Sequence, residues 1–171
     1  MVSKAPDMTA IAAELREVAR TRVIYGDTDQ MGFVYYGNYL RYFEIGRNEF
    51  LRQAGARYRE FEETHGLMLP VVEAHVRYRR PARYDDELSI RAAIVDVRGA
   101  SARFVYEIRR LPDGESLVDG HTVHACIDAE GRVAWSDRRL GMGVQFAHLD
   151  ADAQAQIDIF VDAHFFSNRK A

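Results

Sequence analysis

The middle of the chain admits few folds, because its strand-like runs are joined by breaks too short for anything but hairpins. "DELSIRAAIVDVR" places Leu88, Ile90, Ala92 and Ile94 on one face, and "ASARFVYEIRR" does the same with Ala102, Phe104, Tyr106 and Ile108. "RGA" separates these two runs, and "PDG" separates the second from "SLVDGHTVHACID". An alternation of period two reads as strand. A parallel crossover needs about a dozen residues, so these neighbours must run antiparallel. Upstream, "LPVVEAHVRYRR" alternates Val72, Ala74, Val76 and Tyr78 with Glu73, His75, Arg77 and Arg79, and "RPARYDD" joins it to the hairpins. "DAEGRVAW" reads as a short further segment that turns back into pairing.

One long helical pattern precedes these strands. From Tyr36 the apolar positions run Tyr39, Leu40, Phe43, Phe50, Leu51 and Ala54, with Gly46 on the same face and Gly55 as a stop. The wide apolar face predicts a helix largely wrapped by other structure. "RTRVIY", residues 20 to 25, reads as a strand before it. The order is strand, long helix, then four antiparallel strands, an α+β class with the helix on one face of the sheet. Residues 8 to 18 set Met8, Ile11, Leu15 and Val18 at helical spacing and predict a short N-terminal helix. After an irregular stretch from 137 to 148, residues 149 to 166 predict a C-terminal helix around Ile157, Phe160, Val161, His164 and Phe165. The expected division is an N-terminal extension over 1–19, one domain over 20–136 and a C-terminal extension over 137–171.

Composition narrows the function classes. The 171 residues carry a formal net charge of -3, so a general nucleic-acid binder is not expected. A single cysteine, Cys126, allows no disulfide within the chain. Asp7, Glu14 and Glu17 lie near the N-terminus, with no long apolar run. A targeting peptide, membrane insertion and a location outside the cytoplasm are therefore not expected.

The chemistry concentrates in "YGDTDQMGFVYYGNYLRYFE". Asp27, Asp29 and Gly32 mimic positions one, three and six of a calcium loop. Met31 and Asn38 stand where that loop needs an oxygen ligand and a bidentate glutamate, so no metal is expected. The six histidines form neither an HExxH nor a CxxC-type grouping, and His124 beside Cys126 reads as a buried pair. There is no GxSxG and no glycine-rich phosphate loop. Asp27 and Asp29 have an ordinary use as turn and helix-start residues. Yet "GFVYY" is too apolar for a solvated loop, and the first free N–H groups of the helix, near Tyr36 and Gly37, make a site for an oxyanion. A carboxylate beside an oxyanion hole suits hydrolysis of an activated acyl group.

This segment resembles the signature of the 4-hydroxybenzoyl-CoA thioesterases and the Tol-Pal-associated acyl-CoA thioesterases of the hotdog fold. The likeness rests on Asp27, Asp29, Gly32, Val34, Tyr35, Gly37, Asn38 and Tyr39, and on "RRPARYDDEL" further on. It extends over residues 20 to about 135. It implies an antiparallel sheet wrapped around one long central helix, and acyl-CoA thioester hydrolysis without a cofactor other than the coenzyme A of the substrate. It implies Asp29 as the catalytic carboxylate and the N–H of Tyr36, with Gly37, as the carbonyl-polarising donors. Asp27 and Asn38 are then structural neighbours. Tol-Pal-associated members usually carry His at the position of Tyr36, so the Tyr leaves the backbone donor intact and weakens that assignment. Coenzyme A needs cations at the pocket mouth, and the candidates are Arg80, Arg83, Arg98 and Arg103; the resemblance implies that the turn carrying Arg98, Ser101 and Arg103 lies near the nucleotide. The resemblance also implies a homo-oligomer, dimer or tetramer, with sites at the subunit interface and Val71, Glu73 and His75 near it. Two alternatives on the same fold are a non-hydrolytic acyl-CoA or acyl-carrier-protein binding module and a scaffold for envelope machinery. A related dehydratase would need a helix histidine, and none lies between Tyr36 and Gly55.

Overall fold

The computed structural model describes residues 15–54, 58–98 and 101–133. Strand β1 spans Arg16–Arg22, helix α1 Asn38–Gln53 and helix α2 Tyr58–His65. Strands β2 (Val71–Tyr78), β3 (Glu87–Arg98), β4 (Ser101–Leu111) and β5 (Ser116–Ala125) follow. They form one five-stranded sheet in the order β1-β3-β4-β5-β2, every pairing antiparallel. This is the hotdog arrangement, with α1 packed on one face of the sheet.

The alternation that predicts the hairpins also sets the core. Leu88, Ile90, Ala92 and Ile94 of β3 and Phe104, Tyr106 and Ile108 of β4 point to the helix side and are buried. α1 answers with Tyr39, Tyr42, Phe43, Gly46, Phe50 and Leu51. Phe43 stacks on Tyr106 with ring centroids 4.4 Å apart, and Phe50 meets Phe104 edge-on at 6.1 Å. Gly46 lets the helix approach this closely. A Cβ there would stand 2.8 Å from Ile90 Cγ2, inside van der Waals contact.

Several expectations change. The first strand begins at Arg16, so residues 16–18 of the predicted N-terminal helix are extended. Their Arg16–Arg22 register against β3 supplies hydrogen bonds that an isolated short helix cannot match. Residues 8–14 of that helix, the C-terminal helix and residues 137–148 lie outside the described residues. The strand expected over 20–25 stops at Arg22, and Tyr25–Asp27 form a 3-10 turn. The short helix α2 has no counterpart in the sequence reading. Among the described residues α1 packs on the sheet and touches α2. Leu40 is 42% and Ile45 38% exposed within this chain. Val133 of "DAEGRVAW" turns back to bridge Ile127, which also bridges Met68.

β2 closes one side of the sheet with its outer edge unpaired among the described residues. Val71 and Val72 are 50% and 61% exposed there.

Candidate active site

The segment between β1 and α1 is a small hairpin fixed at its base. Val23 donates to the Asp86 carbonyl and accepts from the Asp85 N–H. Thr28 bridges Val34, and the Tyr35 N–H donates to the Asp27 carbonyl at 2.9 Å.

Asp27 is the pin of this construction. Its carboxylate is buried, accepts the Tyr42 hydroxyl at 2.8 Å and takes Arg41 Nη1 at 3.0 Å. Its carbonyl also receives Asn38 Nδ2 at 2.9 Å. The turn is thereby tied to the first two turns of α1 by side chains from Asn38, Arg41 and Tyr42. Burial and the adjacent Asp27 push the Tyr42 hydroxyl well above its ordinary range, so it stays a donor. With its acceptor sites engaged by these donors, Asp27 has little left for chemistry.

Asp29 is placed differently. Its N–H donates to the Phe33 carbonyl at 2.8 Å, its carbonyl accepts from Gly32, and Oδ1 accepts the Met31 N–H at 2.8 Å. These bonds hold the half-buried side chain in one orientation. They leave Oδ2 with no hydrogen bond from the described residues.

Past the bridge the chain enters α1. The Asn38 N–H donates to the Tyr35 carbonyl at 2.9 Å, so Tyr36 and Gly37 occupy the middle of a turn. No side chain caps this end, and no acidic residue sits in its first turn. The Tyr36 and Gly37 N–H groups meet no acceptor among the described residues. Two backbone donors at the positive end of a helix are a site for a negative oxygen. The Tyr36 carbonyl is taken by the Tyr78 hydroxyl at 3.1 Å, which ties the turn to β2. Tyr35, Tyr36 and Tyr78 form an aromatic rim here, with centroid separations of 4.5 and 6.5 Å.

The five expected coenzyme contacts separate into two groups. Arg83 belongs to the hairpin. Its guanidinium lies over the Phe33 ring at 4.6 Å, and its N–H donates to Asp86 Oδ2. Arg80 is exposed, 3.5 Å from Glu115, and close in sequence to Tyr78. Ser101 and Arg103 sit at the other end of the sheet, where β4 pairs with Ala125 and Val123, and the Arg98 backbone pairs with Ser101. Tyr78 pairs with Val118. The seven strand positions from there to Ala125 correspond to roughly 23 Å. A single chain therefore does not bring Arg98, Ser101 and Arg103 to the hairpin.

Sequence reasoning also missed a buried polar chain behind α1. His124 is fully buried, and its Nδ1 donates to the Leu69 carbonyl at 2.8 Å. Its Nε2 lies 2.9 Å from Thr122 Oγ1, which is 2.8 Å from the Tyr106 hydroxyl. Arg47 Nη1 approaches Nε2 at 3.4 Å. Polar residues at alternate strand positions, Thr122 and His124, on a face otherwise apolar were the available signal. Cys126 is buried, with its thiol pushed up to about 12 by burial, which leaves no thiolate for nucleophilic chemistry.

Relatives share this framework. Acyl-CoA thioesterase YbgC of Haemophilus influenzae is 33% identical over 108 residues, 63% of this chain and 77% of that protein. The 1,4-dihydroxy-2-naphthoyl-CoA hydrolase of Thermosynechococcus vestitus is 32% identical over 119 residues, 69% of this chain and 80% of its own length. Among solved structures, the hypothetical protein TT1821 of Thermus thermophilus superposes with a TM-score of 0.68 at 29% identity, covering 85% of this chain and 99% of that one. The DHNA-CoA thioesterase of Staphylococcus aureus superposes with a TM-score of 0.66 at 26% identity, covering 71% and 81%. Residues 23–157 match the family model of the thioesterase-like superfamily, and the chain belongs to that family.

Proposed function

We propose that this protein hydrolyses acyl-CoA thioesters, with Asp29 as the reactive carboxylate and the N–H groups of Tyr36 and Gly37 as the oxyanion donors. The observation that carries the reading is a pair of uncommitted groups on one short hairpin. Asp29 is oriented by its turn yet keeps Oδ2 open, and two helix N–H groups across the Thr28–Val34 bridge have no acceptor among the described residues. Asp27, two residues away, is consumed by structural bonds, and that contrast separates the roles of the two aspartates.

In the general-base route, Asp29 takes a proton from water as the water oxygen bonds to the thioester carbon. The carbonyl electrons move to the oxygen, and the N–H groups at 36 and 37 hold the resulting negative charge. Collapse of the intermediate breaks the C–S bond, and the thiolate recovers the proton. In the nucleophilic route, Asp29 bonds to the carbon directly, expels the thiolate and forms a mixed anhydride that water then cleaves. Labelled solvent oxygen entering Asp29 in a single turnover, by attack of water on the Asp29 side of the anhydride, marks the nucleophilic route.

Arg80 and Arg83 are assigned to the coenzyme phosphates, for which arginine forks are well suited. Arg98, Ser101 and Arg103 reach a site only if another copy supplies them. The unpaired β2 edge offers the place for that copy to join, since an open edge invites pairing. A homo-oligomer, dimer or tetramer, is therefore part of the reading. Release of free thiol from a panel of acyl-CoA esters tests the activity, and its absence across the panel would overturn it.

A further inference from the structure

The stripe of α1 that leads away from the proposed site ends on a charge. Tyr36, Leu40, Phe43 and Arg47 recur at spacings of four, three and four residues, which places them in one line along the helix. Strand β2 runs beside this line in the opposite direction. Tyr78 meets Tyr36, the His75 carbonyl lies opposite Phe43 across Gly120, and Val71 pairs with the His124 that Arg47 approaches. Tyr36 is 62%, Leu40 42% and Val72 61% exposed, while Phe43 on the same line is 1% exposed, so apolar side chains flank a trough between α1 and β2 whose floor Phe43 closes.

Arg47 has no counter-charge at the end of that trough. Its Nε is buried without an acceptor, and no carboxylate among the described residues pairs with it. Its direct polar neighbours are uncharged, and one group within electrostatic reach, the Tyr58 hydroxyl, is bonded to the Glu62 carboxylate. His124 is held with the proton on Nδ1 by the Leu69 carbonyl, which leaves Nε2 an acceptor. The Tyr106 hydroxyl and Thr122 complete the surround. A half-buried cation without a direct anion is costly, and exposed apolar side chains, Tyr36, Leu40 and Val72, flank the line that leads to it.

We propose that Arg47 receives a carboxylate at the far end of the acyl group, so that the enzyme prefers ω-carboxyacyl thioesters to plain ones. This rests on the thioesterase reading given above. Tyr36 lies just before α1, and Arg47 lies nine residues beyond the first helical residue, Asn38, a rise of roughly 14 Å. Helical side chains lean toward the N-terminus, so the guanidinium lies nearer the thioester site than its Cα. An acyl chain of about ten carbons matches the remaining distance. The trough supplies apolar contact and the guanidinium supplies a two-pronged partner for the terminal carboxylate.

Two measurements test this. The first compares kcat/KM for decanoyl-CoA and for the monothioester of decanedioic acid. The wild-type protein should favour the carboxylated ester at least about tenfold. That ratio should fall toward one in Arg47→Gln and stay intermediate in Arg47→Lys, which keeps the charge without the fork. The second uses wild-type protein and two thioethers that cannot be hydrolysed, S-decyl-CoA and S-(9-carboxynonyl)-CoA, and reads affinity by calorimetry. The carboxylated thioether should bind at least about tenfold tighter. Hydrolysis without preference and equal thioether affinities would overturn the inference and leave the thioesterase reading standing. Tighter binding of the carboxylated thioether with neither ester hydrolysed would uphold the anion site and sink the hydrolase.

Discussion

Replacing Asp27 by alanine should cost stability rather than chemistry, and the size of the loss follows from its partners. The Tyr42 hydroxyl donates to Asp27 from a buried position. Left without an acceptor, such a group costs about 1–3 kcal/mol. The bond from Arg41 is charge-assisted, but the Arg41 side chain is 64% exposed, so water screens it to about 1 kcal/mol or less. The carbonyl bonds to Tyr35 and Asn38 involve backbone and survive the change. The expected loss is about 3 kcal/mol, dominated by the orphaned hydroxyl. If so, Asp27→Ala combined with Tyr42→Phe should lose less than the two single changes added together, by about 1–2 kcal/mol. Urea unfolding at one fixed protein concentration is the assay, because an oligomer's stability depends on concentration. A loss under about 0.5 kcal/mol for Asp27→Ala, or strict additivity with Tyr42→Phe, would refute the structural assignment of Asp27.

Tyr36→Pro deletes one proposed oxyanion donor where the N–H makes no structural bond among the described residues, at a turn position that proline favours. It should lower kcat by about 10²–10³, while Tyr36→Ala, which keeps the N–H, should not approach that loss. Gly120→Ala would drive a Cβ into the His75 carbonyl oxygen and set it 2.8 Å from the Phe43 ring. Because backbone must yield, β2 should detach from β5, and denaturation should show a loss above the usual range of about 1–3 kcal/mol for overpacking. His124 has its pKa lowered from an ordinary 6.5 by burial, so its neutral form is the folded one. That contribution is full above about 6.5 and is lost as pH falls toward the folded value, because the unfolded chain binds the proton first. Urea midpoints should decline as pH falls below about 6.5, and the decline should flatten in His124→Asn.

Much of the fold was legible because two periodicities carried it. The alternation through Leu88–Ile94 and Ala102–Ile108 forced a hairpin, and the line from Tyr39 to Leu51 forced a helix of the observed length and face. Gly46 stood out on that face, and the contact with Ile90 explains it. The edges were less legible. Leu15 and Val18 fit a helical spacing equally well, and only the partner strand β3 decides for extended structure, which local pattern does not contain. "YREFEETH" forms α2 with few apolar residues, so no periodicity announced it. At the candidate site the D-x-D pair was visible, yet its division of labour was not. Arg41 and Tyr42 lie a full helix start away from Asp27, and the bonds between them exist only after the hairpin closes. Arg47 looked like an ordinary polar helix residue until His124, Thr122 and Tyr106 arrived around it from two other strands.

The proposed chemistry turns on the free oxygen of Asp29 facing a bound thioester. The most direct measurement is the rate of thiol release from acyl-CoA by Asp29→Asn against the wild-type protein, with urea midpoints recorded for both. The expected result is loss of turnover with stability retained, since the amide oxygen of the substituted side chain can still accept the Met31 N–H that Oδ1 accepts now. Turnover by the variant equal to that of the wild type would contradict the catalytic role of Asp29.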